Sequence, residues 1–492
     1  MVETGHDSNF RLSLPDIRQK TRSTFARFAA IALVGTSLLL SRSTEDVSAS
    51  PYSLPDGVAN LYYEPSVEDD PETPDKADDA DRVSQVMVCF EDDAPTLIDK
   101  KVDAIAHKVD INDIQFHSDT LVNIPCASAL VTEEGYAALQ INPDVTSVSY
   151  DVELELAGED FKRETLSGDL AHYVGATYAE SHGFTGEGQR IAVIDTGSNY
   201  DSPYDSYRES LDPISGCVGT TYPQLHLYSG CPGGEPRVIG PHAGNVYSRY
   251  LVSAGHGDAV AQVAHGVARD AQIVPISLTT VQRQEDGEQL SFYGSDIVRA
   301  IDVAIDLDVD SIVVSLAVEG EAPPNCHNFL PPFNLAQQKA HENGIPMFIS
   351  TGNSGVVSWP ACIRQPGLYP MTTVDFMGQI PLFGGYKDDR VLAARGEDAR
   401  IVNLFGTTHL SSGTSFAPPV AASLYSIWKA ENSSYNDHET MSLMRRFAGI
   451  ATAQNGDIVP NLNIENVLRQ PGIAHSLGIY FSALFPYLSK HN

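Results

Sequence analysis

Three segments of the chain carry side chains suited to nucleophilic acyl chemistry. The apolar run Ile191-Ala192-Val193-Ile194 leads directly into Asp195-Thr196-Gly197, so a carboxylate emerges at the end of a strand. Gly255-His256-Gly257 opens a helical stretch and places His256 in its first turn. Gly413-Thr414-Ser415 opens another that continues through Ala422, with Pro418 and Pro419 tolerated because they fall in the first turn. A hydroxyl at a helix start is surrounded by backbone N–H donors and the positive end of the helix dipole. Those donors suit the oxyanion that forms when the hydroxyl attacks an acyl carbon. The same positive ends discourage premature protonation of His256, as a general base requires. Taken singly, an Asp after a strand is usually a turn residue, and a Gly-Thr-Ser before a helix is usually a cap. The three together carry the argument.

The surrounding pattern supplies the elements that must position them. From Leu166 onward, continuous apolar strands at 191–194, 273–278, 312–317 and 347–350 alternate with helices. The helices read as 259–268, 296–307 behind a Ser295 cap, and 335–343 ending at Gly344. Strands apolar on both faces belong to a parallel sheet covered by helices, which predicts a doubly wound α/β domain with its site at the carboxyl ends of the strands. Upstream, residues 84–156 read as strand 86–90, helix 96–109, a strand pair within 114–131, helix 133–140 and a last strand 145–156. That order is a small α+β, ferredoxin-like domain.

The stretches IAVIDTG (191–197), GHGDAVAQVAHGVA (255–268), STGNSG (350–355) and SSGTSFAPPVAA (411–422) resemble the signature segments of subtilisin-like serine proteases. SIVVSLA (311–317) resembles that family's substrate-binding strand, and residues 84–156 resemble its inhibitory propeptide. The resemblance implies a serine endopeptidase acting through an acyl-enzyme, made as a self-processing zymogen. It implies Ser415 as nucleophile, His256 as general base and Asp195 as the group that orients the imidazole. The Asn353 side chain would join the Ser415 N–H in an oxyanion hole. Ser315, Leu316, Ala317 and Gly352 would line the extended substrate. Polypeptide substrates are the implied partners, with the chain's own propeptide as intramolecular inhibitor and processing near residues 150–165. No cofactor is required for this chemistry. Structural calcium occurs in the family, but Asp201 and Asp205, in the insertion at 198–254, follow no ligand spacing, and the metal question stays open.

The chain also departs from the family pattern. Asp258 stands where Thr is usual and adds negative charge near the imidazole, an expected upward pull on its pKa. Gln262 replaces a Gly that allows close helix packing, Ala317 replaces a Gly in the substrate strand, and Pro418 replaces an Ala. Read as decay, these changes would leave a catalytically silent subtilisin-like scaffold that binds proteins. Read as variation, they bear on specificity and pH optimum.

Composition bounds the rest. Lys plus Arg total 31 against 64 Asp plus Glu, a net charge of −33 over 492 residues, which excludes a nucleic-acid partner. Arg18, Lys20, Arg22 and Arg27 precede an apolar stretch at 28–40, followed by Val47-Ser48-Ala49. Residues 1–49 therefore read as a signal peptide or N-terminal anchor, the protein as secreted or periplasmic, and no membrane span is expected after processing. The acidic, Pro-bearing stretch 50–83 reads as a disordered linker before the propeptide-like domain. The catalytic domain spans 166–470, and 471–492 form an apolar tail whose core, 477–488, is expected to dock as a helix. Cys89, Cys126, Cys217, Cys231, Cys326 and Cys362 contain no CxxC pair; an exported protein would pair them, and sequential pairing is the expectation. Asn432-Ser433-Ser434 is a glycosylation sequon in a eukaryotic secretory route.

Overall fold

The structure, a computed structural model, describes residues 83–473 except 92–94, 107–112, 118–120, 157–169, 285–286, 319, 321 and 472. The expected signal segment, nearly all of the acidic linker and the apolar core of the tail lie outside the described residues.

Eight parallel strands form the centre of a ten-stranded sheet. Their order in space is Ile458–Asn461, Leu392–Arg395, Leu368–Val374, Met347–Ser350, Ser311–Val314, Arg190–Asp195, Gln272–Leu278 and Ile214–Val218. Gly449–Thr452 and Arg237–Pro241 close the two edges in antiparallel fashion. Alternate residues of each central strand serve opposite layers. Ala192, Ile194, Ile312 and Val314 pack with Ile297, Ile301 and Phe333 of the helices Gly294–Asp306 and Pro331–Glu342. Ile191, Val193, Val313 and Phe348 pack with Val260, Val420 and Trp428 of His256–Val267 and Ala417–Glu431. Burial on both faces is why these strands lack polar alternation.

The upstream block is a four-stranded sheet in the order Ile114–Phe116, Cys126–Val131, Ser84–Phe90, Val145–Tyr150, with helices Pro95–Ala106 and Glu133–Gln140. One face of its strands builds a local core around Val86, Val88 and Ile98. The other face, with Met87, Cys89 and Cys126, joins the large core beside Ile297 and Ile301. Polar contacts reinforce the docking. Arg299 donates to the Ser128 hydroxyl at 2.9 Å, and the Asp302 carboxylate accepts the backbone N–H groups of Val122 and Asn123.

Three sequence expectations need correction. The strand expected at 145–156 is two: after Tyr150 the chain leaves the block, and Glu153–Leu156 pairs instead with Leu316–Ala317 and with Phe292–Tyr293. The strand expected at 312–317 also divides, ending in the large sheet at Val314 and resuming at Leu316–Ala317 in this second sheet. Ser295 is not the cap of its helix. The helix starts at Gly294, and Ser295 lies inside the first turn with its N–H donated to the Asp151 carboxylate at 2.8 Å. The capping group thus comes from 144 residues upstream, which no local pattern reveals.

All six cysteines pair sequentially: Cys89–Cys126, Cys217–Cys231 and Cys326–Cys362. The Cys217–Cys231 link closes a separation of 14 residues, so replacing both with serine is expected to lower unfolding stability by about 3 kcal/mol, read from urea midpoints. Asp151 gives a pH signature. Removal from water, with the Asp296 carboxylate adding to it, pushes its carboxyl from 3.8 up to about 6, despite hydrogen bonds from Ser295 and Val152. The folded protein therefore holds a proton that the unfolded chain has already released, and this contribution to stability is lost as pH rises through about 6. Wild type should lose stability relative to D151N between about pH 4 and about pH 7; parallel profiles would contradict this.

Candidate active site

Asp195, His256 and Ser415 come from separate elements and meet at the carboxyl edge of the sheet. Asp195 is the last residue of Arg190–Asp195. His256 is the first residue of His256–Val267. Ser415 lies in the 3₁₀ turn Thr414–Phe416 that feeds the helix Ala417–Glu431. His256 Nδ1 is 2.9 Å from both Asp195 carboxylate oxygens, and Nε2 is 3.0 Å from Ser415 Oγ. An ionised carboxylate only accepts, so in the neutral ring Nδ1 carries the proton and Nε2 presents its lone pair to the serine O–H. All three side chains are at most 1% exposed. Such an arrangement can draw a proton from Ser415 as its oxygen attacks, with the resulting imidazolium held by Asp195.

Local chemistry holds the parts in place. Thr196 Oγ1 donates to the Ala254 carbonyl and accepts the Gly257 N–H, joining the turn after Asp195 to the helix that begins with His256. The approach is close enough that a Cβ on Gly257 would lie 2.7 Å from the Gly197 carbonyl oxygen. Around Asn353, Thr414 donates both its N–H and its hydroxyl to Oδ1, at 3.1 and 2.7 Å. This fixes the plane of the Asn353 amide next to Ser415. Ser315 donates its hydroxyl to the Ser415 carbonyl at 2.8 Å. Thr196 and Thr414 stand in the segments quoted from the sequence, where nothing gives them a role, although each directly adjoins a residue that has one.

Two of the expected substrate-lining residues, Leu316 and Ala317, border a groove between two strand edges. Leu316 and Ala317 present an edge, and Phe292–Tyr293 present the facing one. Gly352, at φ +85°, adopts a left-handed conformation, and a Cβ there would lie 2.9 Å from Ser358 Oγ and 3.4 Å from the Ala317 methyl. The methyl of Ala317 is thus accommodated by Gly352 and leaves its backbone free to pair. Glu153–Leu156 fills the groove as a middle strand, with Leu156 opposite Leu316, Glu155 opposite Ala317 and Leu154 opposite Phe292. Leu154 is buried there.

Other expectations fare differently. The Asp258 carboxylate is engaged by the Asn199 N–H, the Tyr207 hydroxyl and the Gln262 amide. Asp205 is paired with Arg208, and among the described residues no three His, Cys, Asp or Glu side chains gather to hold a metal. Asn432 donates its side-chain N–H to the Trp428 carbonyl. Among the described residues no helix is long and apolar enough to cross a membrane.

A doubly wound parallel sheet whose carboxyl edge joins carboxylate, imidazole and serine in one hydrogen-bond chain defines the class of serine-nucleophile acyl-transfer folds. The chain belongs to the subtilase family, whose peptidase S8 domain it matches over residues 186–477. It is similar to the minor extracellular protease Vpr of Bacillus subtilis, with 26% identity over 239 residues, covering 47% of this chain and 26% of that protein. A thermostable alkaline protease of Halalkalibacterium halodurans is 23% identical over 330 residues, covering 64% of this chain and 75% of that protein. Among solved structures, fervidolysin from Fervidobacterium pennivorans, a keratinolytic enzyme related to subtilisin, shares the fold. The TM-score is 0.59 at 17% identity, covering 79% of this chain and 61% of that one.

For acyl chemistry at Ser415, N353A is expected to lower kcat by about 10²–10³ with KM little changed, because an oxyanion donor acts only once charge develops. Steady-state cleavage of a chromogenic peptide measures it; an equal rise in KM would assign Asn353 to substrate binding instead.

Proposed function

We propose that this protein is a secreted serine endopeptidase that cleaves peptide bonds through an acyl-enzyme on Ser415 and is made as a self-processing zymogen. The observation that carries the reading is the Asp195–His256–Ser415 hydrogen-bond chain beside a groove that holds a polypeptide strand. His256 takes the Ser415 proton as Oγ attacks the scissile carbonyl, then delivers it to the leaving amine. Water repeats the sequence to release the acyl group. The relatives' names support the protease assignment, and one of them is called extracellular.

Residues 84–156 act as the inhibitory propeptide. Their last strand occupies the groove by adding antiparallel to Leu316–Ala317, the main-chain pairing a substrate would use. Its register runs toward Ser315, whose hydroxyl holds the Ser415 carbonyl. The self-cleaved bond is therefore expected just beyond Leu156, at Leu156–Ala157 or Ala157–Gly158. No observation favours the silent scaffold.

S415A is expected to accumulate as the unprocessed chain and to lose about 10⁶ in turnover when residual cleavage is assayed after separate removal of the propeptide. Wild type should give a mature N-terminus at Ala157 or Gly158 on N-terminal sequencing. A normally processed S415A product, made without other proteases, would refute the mechanism.

A further inference from the structure

Asp258 and Gln262, two departures from the family pattern, are partners of each other. They lie one turn apart on the helix that starts with His256, and the Gln262 amide donates to Asp258 Oδ2 at 2.9 Å. The same amide pairs at two points with the Val402 backbone, donating to its carbonyl at 2.7 Å and accepting its N–H at 2.8 Å. A neighbouring strand would make the same pair of bonds. Val402 ends the first strand of the hairpin Ala399–Val402, Thr408–Ser411, whose second strand delivers the chain to Ser415. The other Asp258 oxygen accepts the Asn199 N–H at 2.8 Å and the Tyr207 hydroxyl at 2.7 Å. Asn199 lies on the segment that leaves Asp195. One buried pair thus reaches the carriers of all three reacting residues.

The hairpin has need of such a tie. It forms a two-stranded sheet of its own, joined to neither large sheet, and an isolated hairpin is only marginally stable. Ala399 and Ile401 anchor its inner side by packing, which is tolerant of sliding, and Leu404 lies over Gly255. Directional bonds from Gln262 fix its position along the helix. Asp258 and Gln262 are 2% and 7% exposed, so their polar atoms have little recourse to water if the bonds are lost. Burial raises the Asp258 carboxyl above its ordinary range, against the lowering effect of the Asn199, Tyr207 and Gln262 bonds.

We propose that Asp258 and Gln262 form a positioning clamp that holds the hairpin bearing Ser415 at hydrogen-bonding distance from His256. Neither residue is catalytic; both act through the His256–Ser415 contact. The inference rests on the hydrolase reading for its kinetic consequence and on geometry alone for its structural one.

The test compares wild type with Q262M, which keeps the side chain's length but removes its three hydrogen bonds, and with Q262E. Q262M with an unchanged near-UV circular dichroism spectrum is expected to lose about 10–100-fold in kcat, with KM within about twofold. The low-field Nδ1–H proton resonance of His256, read on the full chain, should shift or broaden. In Q262E a proton shared between the two carboxyl groups restores one of the two lost donations, the one between residues 258 and 262, and removes their charge repulsion. Its activity relative to wild type should therefore rise in part from about pH 8 to about pH 6. An unchanged kcat and resonance in folded Q262M, or a flat Q262E ratio, would overturn the clamp. Should Q262M not fold, the Q262E ratio and resonance decide. A wild type that neither processes itself nor cleaves peptide would remove the hydrolase reading, while the resonance would still report on the clamp.

Discussion

A single constraint governs this molecule: three polar side chains, 61 and 159 residues apart in sequence, must meet without water between them. An imidazole that only brushes its serine does not take a proton from it, and an unpaired carboxylate buried beside the pair would be costly. The parallel sheet meets the constraint by ending its strands and starting its helices along one edge. Its two helical layers bury apolar residues on both faces and so make that edge rigid. The glycines at 197 and 257 let backbone come close where any side chain would hold the parts apart, and Gly352 leaves room for the Ser358 side chain.

The same edge also receives a strand from the upstream block. A groove with two open strand edges is completed by a third strand, and Glu153–Leu156 supplies it from within the chain. Asp151 stands at the crossing point. It directly follows the block's last strand, caps the helix that begins at Gly294 and receives the Gln85 side-chain amide. The docked block and the filled groove therefore share Asp151 as a common polar contact at a largely apolar seam.

Much of this was legible in the amino-acid sequence because the relevant signals are local. Apolar runs without alternation mark central strands, and Asp195, His256 and Ser415 sit at the boundaries where such runs stop or helices start. The order of the upstream elements also follows from local periodicity. What escaped was long-range in origin. The cap of the helix at Gly294 comes from Asp151, the break at Tyr150 answers to Phe292 and Leu316, and Gln262 makes sense only once Val402 is beside it. The sequence likewise gives no sign that the Asp258 carboxylate is engaged by Asn199, Tyr207 and Gln262.

The most direct test of the central claim is to map a fluorophosphonate adduct by mass spectrometry on the propeptide-free protein, with H256A as control. An activated serine reacts with this reagent and an ordinary one does not. The account predicts one adduct, on the peptide containing Ser415, lost in H256A. No adduct, an adduct on a different serine, or equal labelling of H256A would contradict it.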